Sequence, residues 1–315
     1  VLDRPRALRV FETALQTFDE AAIFTIHGFC QRALADTPFT AGLPFRQELL
    51  RDDRLLRQQA VNDFWRQRVA DAALPAELAD HLLLVGDNPQ TWSALLKRQI
   101  SKPRSLTRWP TDLDTAVTFD RRALDAAFAD ARDAWGDGSA PTAALANALD
   151  ALNAVSFKAE WLPIAAGNWR AWFAGGEPLQ IPNQHKIELF TASLIVAKTK
   201  KNRCPPEHRF FDAADQLLAA YRRAVGLLQI QRLRLLRDLF VTASAALRED
   251  KRRQRVFSFD DMLCNLDDAL QAGQPPWLAA ALRARYPVAL IDEFQDTDPL
   301  QYAIFDAIYG ADGER

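Results

Sequence analysis

Pro287-Val288-Ala289-Leu290-Ile291-Asp292-Glu293-Phe294-Gln295-Asp296-Thr297-Asp298-Pro299-Leu300-Gln301 is the stretch on which the fold is decided. Residues 287–291 are a continuous apolar run, the pattern of a strand buried on both faces of a parallel sheet. Asp292 and Glu293 follow at its carboxyl end, and Asp298 with Pro299 behind it is a strong helix start. Strand, acidic tip, loop and helix follow one another as in open α/β sheets, which set their chemistry at strand ends. Charged groups at a buried strand end are costly unless something compensates them, and a divalent cation is the usual remedy. Mg²⁺ takes one or two carboxylates together with waters and substrate phosphates. A second acid beside it can orient or deprotonate an attacking water. A bare Asp-Glu pair is equally often a solvated strand end that caps a helix.

The longer string from Leu290 to Gln301 narrows the choice, because it resembles the Walker B segment, motif II, of superfamily 1 DNA helicases of the UvrD/RecB type. The resemblance implies that Asp292 holds Mg²⁺ and Glu293 polarises the hydrolytic water. It also implies that Gln295 and Asp296 help couple a bound nucleotide to DNA. Thr25-Ile26-His27-Gly28-Phe29-Cys30 resembles the T-x-H motif of the same family, in which the threonine and histidine lie beside the single-stranded DNA track. Taken alone, Thr25 reads as a helix cap and His27 as a surface or core histidine. Phe259-Asp260-Asp261-Met262-Leu263 looks like the short segment where such chains re-enter the motor domain, with no chemical role assigned to it. The wording of the three anchors is closest to the RecB branch of helicase–nuclease subunits; an AddA-type helicase–nuclease is the near alternative.

Working outward, residues 4–18 carry Leu8, Phe11, Leu15 and Phe18 at helical spacing, and Ala21 to Thr25 form a short apolar run suited to a buried strand. A helical pattern resumes from His27 to Ala35, and Pro38 and Pro44 punctuate a loop. Another helix is expected from about Asp52 to Val69, with Leu55, Leu56, Ala60, Phe64 and Trp65 on its apolar side. Residues 75–205 read as short helices broken by prolines and glycines. Trp161, Trp169 and Trp172 within them are either core packing or a base-stacking platform. From Phe210 to about Arg253 runs the longest helical pattern, weakened only at Gly226. Ser258 with Asp261 three residues on has the form of a capping box.

The 315 residues suffice for two domains, or for one with a large insertion. With 49% hydrophobic and 25% charged residues the chain has the balance of a globular protein. A net charge of −2 means that any hold on a polyanion must come from local patches. Lys198, Lys200, Lys201 and Arg203 form one such patch, either a phosphate-contacting loop or a solvated charge run. Lys251, Arg252, Arg253 and Arg255 form another, which can equally serve a helix C-terminus. Cys30, Cys204 and Cys264 have no metal-type spacing and read as reduced thiols. No apolar run approaches the roughly 20 residues that span a bilayer, and no basic-then-apolar leader is present, so a cytoplasmic chain is expected. The start at Val1 suits an excised or processed fragment.

A phosphate-cradling loop, G-x-x-x-x-G-K-[ST], has no counterpart here, since no glycine is followed by lysine. The expected fold is therefore predominantly α: a partial RecA-like α/β (P-loop NTPase) domain with a large all-α helical insertion. Residues 1–36 and 256–315 would belong to motor domain 1A and residues 37–255 to a helical 1B subdomain. The resemblance implies a parent that is an ATP- and Mg²⁺-dependent DNA helicase/exonuclease. It would act on single-stranded DNA and duplex ends beside RecC- and RecD-like subunits. The fragment alone is expected not to hydrolyse ATP. The rival reading is a non-enzymatic helical DNA-binding or protein-docking module.

Overall fold

The computed structural model describes residues 3–36, 48–115, 119–271 and 277–310. The loop expected around Pro38 and Pro44 lies outside them. Helix dominates, and one small parallel sheet accompanies it. In chain order the helices are α1 (Arg4–Gln16), α2 (Ile26–Asp36), α3 (Arg54–Arg68), α4 (Ala76–Leu84), α5 (Pro89–Ile100), α6 (Arg121–Trp135) and α7 (Ser139–Asn147). They continue with α8 (Leu162–Gly175), α9 (Ala192–Lys198), α10 (Arg209–Gln254), α11 (Phe259–Gln271), α12 (Leu278–Arg285) and α13 (Pro299–Tyr309). Strands β1 (Glu48–Leu49) and β2 (Val256–Phe257) pair in parallel, Glu48 opposite Val256 and Leu49 opposite Phe257. The Glu48 amide donates to the Arg255 carbonyl at 2.9 Å and the Leu50 amide to that of Phe257 at 2.8 Å.

The chain divides into two compact units. One comprises Val1–Ala72, Gly86–Arg108 and Arg237–Arg315; the other comprises Ala73–Val85 and Trp109–Leu236. The second unit is built around aromatic residues. Trp169 and Trp172 are fully buried in a core with Phe128, Trp135, Phe173, Phe190 and Phe210. Burying an indole leaves a donor to satisfy, and both find one: Trp169 Nε1 donates to the Ile187 carbonyl at 3.0 Å, Trp172 Nε1 to that of Glu177 at 3.3 Å. These two tryptophans are core, so a stacking platform built on them is ruled out. Gly138 turns the chain from α6 to α7 with φ at +81°, and a Cβ there would fall 2.3 Å from the Trp135 ring. Only glycine fits that corner.

In the first unit α3 and α5 meet through Trp65 and Trp92, with ring centroids 4.8 Å apart. Leu55, expected on the apolar side of α3, is 84% exposed instead. A second core joins Phe29, Cys30 and Ala33 of α2, Met262, Leu263 and Leu266 of α11, Leu278 and Leu282 of α12, and Leu300, Ile304 and Ile308 of α13. Phe29 stacks on Phe305 at 5.5 Å, and the Arg104 guanidinium meets Asp267 of α11 through both carboxylate oxygens.

Both strands expected from apolar runs are absent as strands. Residues 21–25 and 287–291 form neither helix nor strand, and neither run pairs as part of a sheet among the described residues. Val288 is 74% exposed and Leu290 96%. A strand buried on both faces needs neighbours that accept its hydrogen bonds and cover its side chains. Without them the apolar run forms no strand and stays exposed. The same exposure marks α1, which forms as its spacing predicts yet buries none of its residues; Leu8, Phe11 and Leu15 all face solvent.

Candidate functional site

The acidic segment forms a tight loop before α13. Asp292 Oδ1 accepts from the Glu293 amide at 2.9 Å, and Glu293 takes the left-handed conformation with φ at +50°. That backbone is uncommon for a residue with a side chain and marks a sharp change of direction. One 3-10 turn, Phe294–Asp296, follows, closed by the Asp296 amide on the Glu293 carbonyl at 2.9 Å. The Gln295 side-chain amide donates to the Glu293 carboxylate. Asp298 then caps α13, accepting from the Leu300 and Gln301 amides at 2.8 Å each, while the Gln301 side chain closes the capping box. Asp292, Glu293, Gln295 and Asp296 thus lie together on one exposed turn. Among the described residues no three His, Cys, Asp or Glu side chains converge as a metal cage.

The second sequence anchor opens α2. Thr25 Oγ1 accepts from the Gly28 amide at 3.0 Å, so the threonine caps the helix. His27 lies in the first turn, half-buried, with its ring edge-on to Phe259 at a centroid distance of 5.9 Å and an interplanar angle of 85°. The segments that sequence reading treated as separate, T-x-H and F-D-D, therefore touch. Because α2, α11 and α13 share one core, the acidic turn and the T-x-H turn both lead into helices of that core.

A buried ion cluster sits beside this contact, and sequence reading missed it. Lys251 is only 5% exposed, and its ammonium reaches Asp53 at 2.8 Å, Asp261 at 2.6 Å and Ser258 Oγ at 3.2 Å. Asp53 also pairs with the buried Arg57. Ser258 caps α11 as expected, its Oγ accepting from the Asp261 amide at 3.3 Å while the Asp261 carboxylate accepts from the Ser258 amide at 2.8 Å and closes the capping box. Lys251, read from the sequence either as part of a phosphate-contacting patch or as a cation serving the helix C-terminus, is withdrawn from solvent, which removes the first reading for this residue. Only the three-dimensional meeting of residues 53 and 251 reveals the cluster; no local spacing announces it. Partial burial holds the neighbouring Asp260 carboxyl above the usual carboxylate range. The charges of Asp261 and Asp53 push the same way, against Lys251 and His27.

The basic knot lies in the other unit. Lys198 ends α9, and Lys200 Nζ donates to the Asp150 carbonyl at 2.8 Å. Arg203 approaches the Asp150 carboxylate at 3.7 Å, and Lys198 and Lys201 are exposed. Trp161 carries Lys186 Nζ 3.6 Å over its ring. No helix among the described residues is long and apolar enough to cross a membrane.

The family model for the UvrD/REP helicase N-terminal domain matches residues 4–314. The chain belongs to that helicase family. Among curated proteins this UvrD/REP-type chain is similar to the RecBCD enzyme subunit RecB of Escherichia coli, with 35% identity over 315 residues and 98% of the chain covered. The RecBCD enzyme subunit RecB of Haemophilus influenzae is 29% identical over 340 residues, again across 98% of the chain. That of Mycolicibacterium smegmatis is 37% identical over 78 residues. The chain spans only about a quarter of the length of the first two relatives.

Proposed function

We propose that this chain is part of the motor of a RecB-like ATP-dependent DNA helicase/exonuclease subunit that unwinds duplex DNA ends for recombinational double-strand break repair. Residues 1–36 and 256–315 belong, on this reading, to a RecA-like motor domain 1A, and residues 37–255 to the helical 1B subdomain inserted in it. The observation that carries the reading is the turn Asp292–Asp296, with its carboxylates displayed ahead of a capped helix in a chain of the UvrD/REP family.

Asp292 fits a Mg²⁺ ligand. One of its oxygens is held by the Glu293 amide, the other is free for a hard cation, and a lone carboxylate suits an ion that completes its shell with waters and phosphates. Glu293 is the water-polarising acid, and the Gln295 amide on its carboxylate fixes its direction. ATP supplies the phosphates, and the phosphate loop comes from a part of the protein beyond this chain. Gln295 and Asp296 carry the state of the nucleotide towards DNA, while Thr25 and His27 contact single-stranded DNA. Lys198, Lys200, Lys201 and Arg203 contact duplex phosphates, so binding through them weakens steeply with salt and ignores sequence. RecC- and RecD-like subunits are the partners, and the location is cytoplasmic.

Two measurements test this. In the longer protein, Asp292→Asn or Glu293→Gln is expected to lower DNA-dependent ATP hydrolysis by about a hundredfold or more while DNA binding persists. Unchanged hydrolysis would remove the motor reading. The 315-residue chain alone is expected to show no DNA-stimulated ATP hydrolysis, and turnover by the pure chain would contradict the division of labour proposed.

A further inference from the structure

The F-D-D segment has no part in the function as set out above, yet its first ring meets the histidine of the T-x-H turn. Phe259 is 41% exposed, so it is not held in place as core; the core of α11 is made by Met262, Leu263 and Leu266. What Phe259 does make is one edge-to-face contact with His27. Such a contact has a preferred geometry and restricts the partner ring more than an aliphatic neighbour would. The position of Phe259 is itself fixed. It occupies the first residue of α11, next to Ser258, whose side chain and amide bind Asp261, and Asp261 is anchored to the buried Lys251.

We propose that Phe259 is a positioning residue for His27, aiming its imidazole at single-stranded DNA through the edge-to-face contact. The inference rests on the reading of His27 as a DNA contact. The cluster of Lys251, Asp53 and Asp261 is the fixed base, Phe259 is the wall standing on it, and the His27 ring leans on that wall. Phe259 has no contact with DNA in this scheme and acts only through the histidine.

The test uses the intact protein of which this chain forms the motor segment. It measures the concentration of single-stranded DNA giving half-maximal ATP hydrolysis, and the maximal rate. Phe259→Leu is expected to raise the half-maximal concentration about threefold to tenfold, the scale of one aromatic pair, with the maximal rate within about twofold. Phe259→Tyr, which keeps the ring, restores the original value. In a His27→Ala background Phe259→Leu has no further effect, since coupled residues do not add. Additive effects of the two substitutions would overturn the proposal and make Phe259 an independent contact. A normal response of Phe259→Leu beside an impaired His27→Ala would overturn it while leaving the DNA role of His27 intact. A normal response of His27→Ala itself would remove that role and the proposal together. A fall in the maximal rate without a change in half-maximal concentration would mark Phe259 as merely structural and likewise overturn it.

Discussion

Lys251 shows what a single side chain can hold together. Its ammonium is almost wholly withdrawn from water and joins Asp53, at the start of α3, to Asp261, in the first turn of α11. Removing one partner of such a pair leaves the others buried and uncompensated, which costs more than the pair contributes. Because Arg57 still neutralises Asp53, Lys251→Met is expected to destabilise the chain by about 2–3 kcal/mol in urea unfolding, against less than about 0.5 kcal/mol for Lys201→Ala at the surface. A loss below about 0.5 kcal/mol for Lys251→Met would show that the cluster does not hold the fold. The cysteines offer a second check. Burial pushes the Cys30 thiol up to about 12 and the Cys264 thiol to about 11, so neither forms thiolate near neutral pH. In the folded chain at pH 8 only the exposed Cys204 is expected to react with Ellman's reagent, and all three cysteines after denaturation. A second fast-reacting thiol in the native chain would contradict this.

At the scale of the element, helices with their own start signals were readable from residues alone. Asp298-Pro299 before α13 and Ser258 with Asp261 at α11 satisfy orphan amides locally, and the long apolar face of α10 carries its own period. The apolar runs 21–25 and 287–291 misled because a strand is defined by its neighbours, and apolar composition says nothing of who those neighbours are. The site divides the same way: the acidic turn is one contiguous string, whereas the contact of His27 with Phe259 and that of Lys251 with Asp53 depend on chain folding. The first turn of α11 also carries a pH signature. The folded Asp260 carboxyl binds its proton more tightly than in the unfolded chain. The native state therefore holds more protons between the two values, and stability falls as pH rises through that window. Asp260→Asn is thus expected to raise Tm at pH 7. The gain should vanish as pH drops below the ordinary carboxyl value of about 3.9. An equal gain at both ends of the titration would rule out this cause.

For the whole molecule, the feature with the widest consequence is uncovered apolar surface. Leu8, Phe11, Leu15, Phe18 and Ile23 are exposed near the amino end, and Val288 and Leu290 ahead of the acidic turn. Exposed apolar surface of this kind binds hydrophobic probes and promotes association. The 315-residue chain is therefore expected to enhance 1-anilinonaphthalene-8-sulfonate fluorescence. Leu15→Glu with Leu290→Lys should lower that signal without lowering Tm, because neither side chain is packed. A drop in Tm on the double substitution would show that these side chains already have partners.

The parallel seam of Glu48–Leu49 with Val256–Phe257 turns everything between into a closed excursion. The entropy of closing so long a loop grows only with the logarithm of its length, so twenty residues more or fewer would shift it by a small fraction of a kcal/mol. Insertions and deletions within the excursion are therefore inexpensive wherever they miss its core. A single residue lost between Lys251 and Val256 is another matter: it would slip the seam by one rung and turn Val256 and Phe257 to opposite faces. Length variation across this family should accordingly cluster inside the excursion and stop short of its stitched ends.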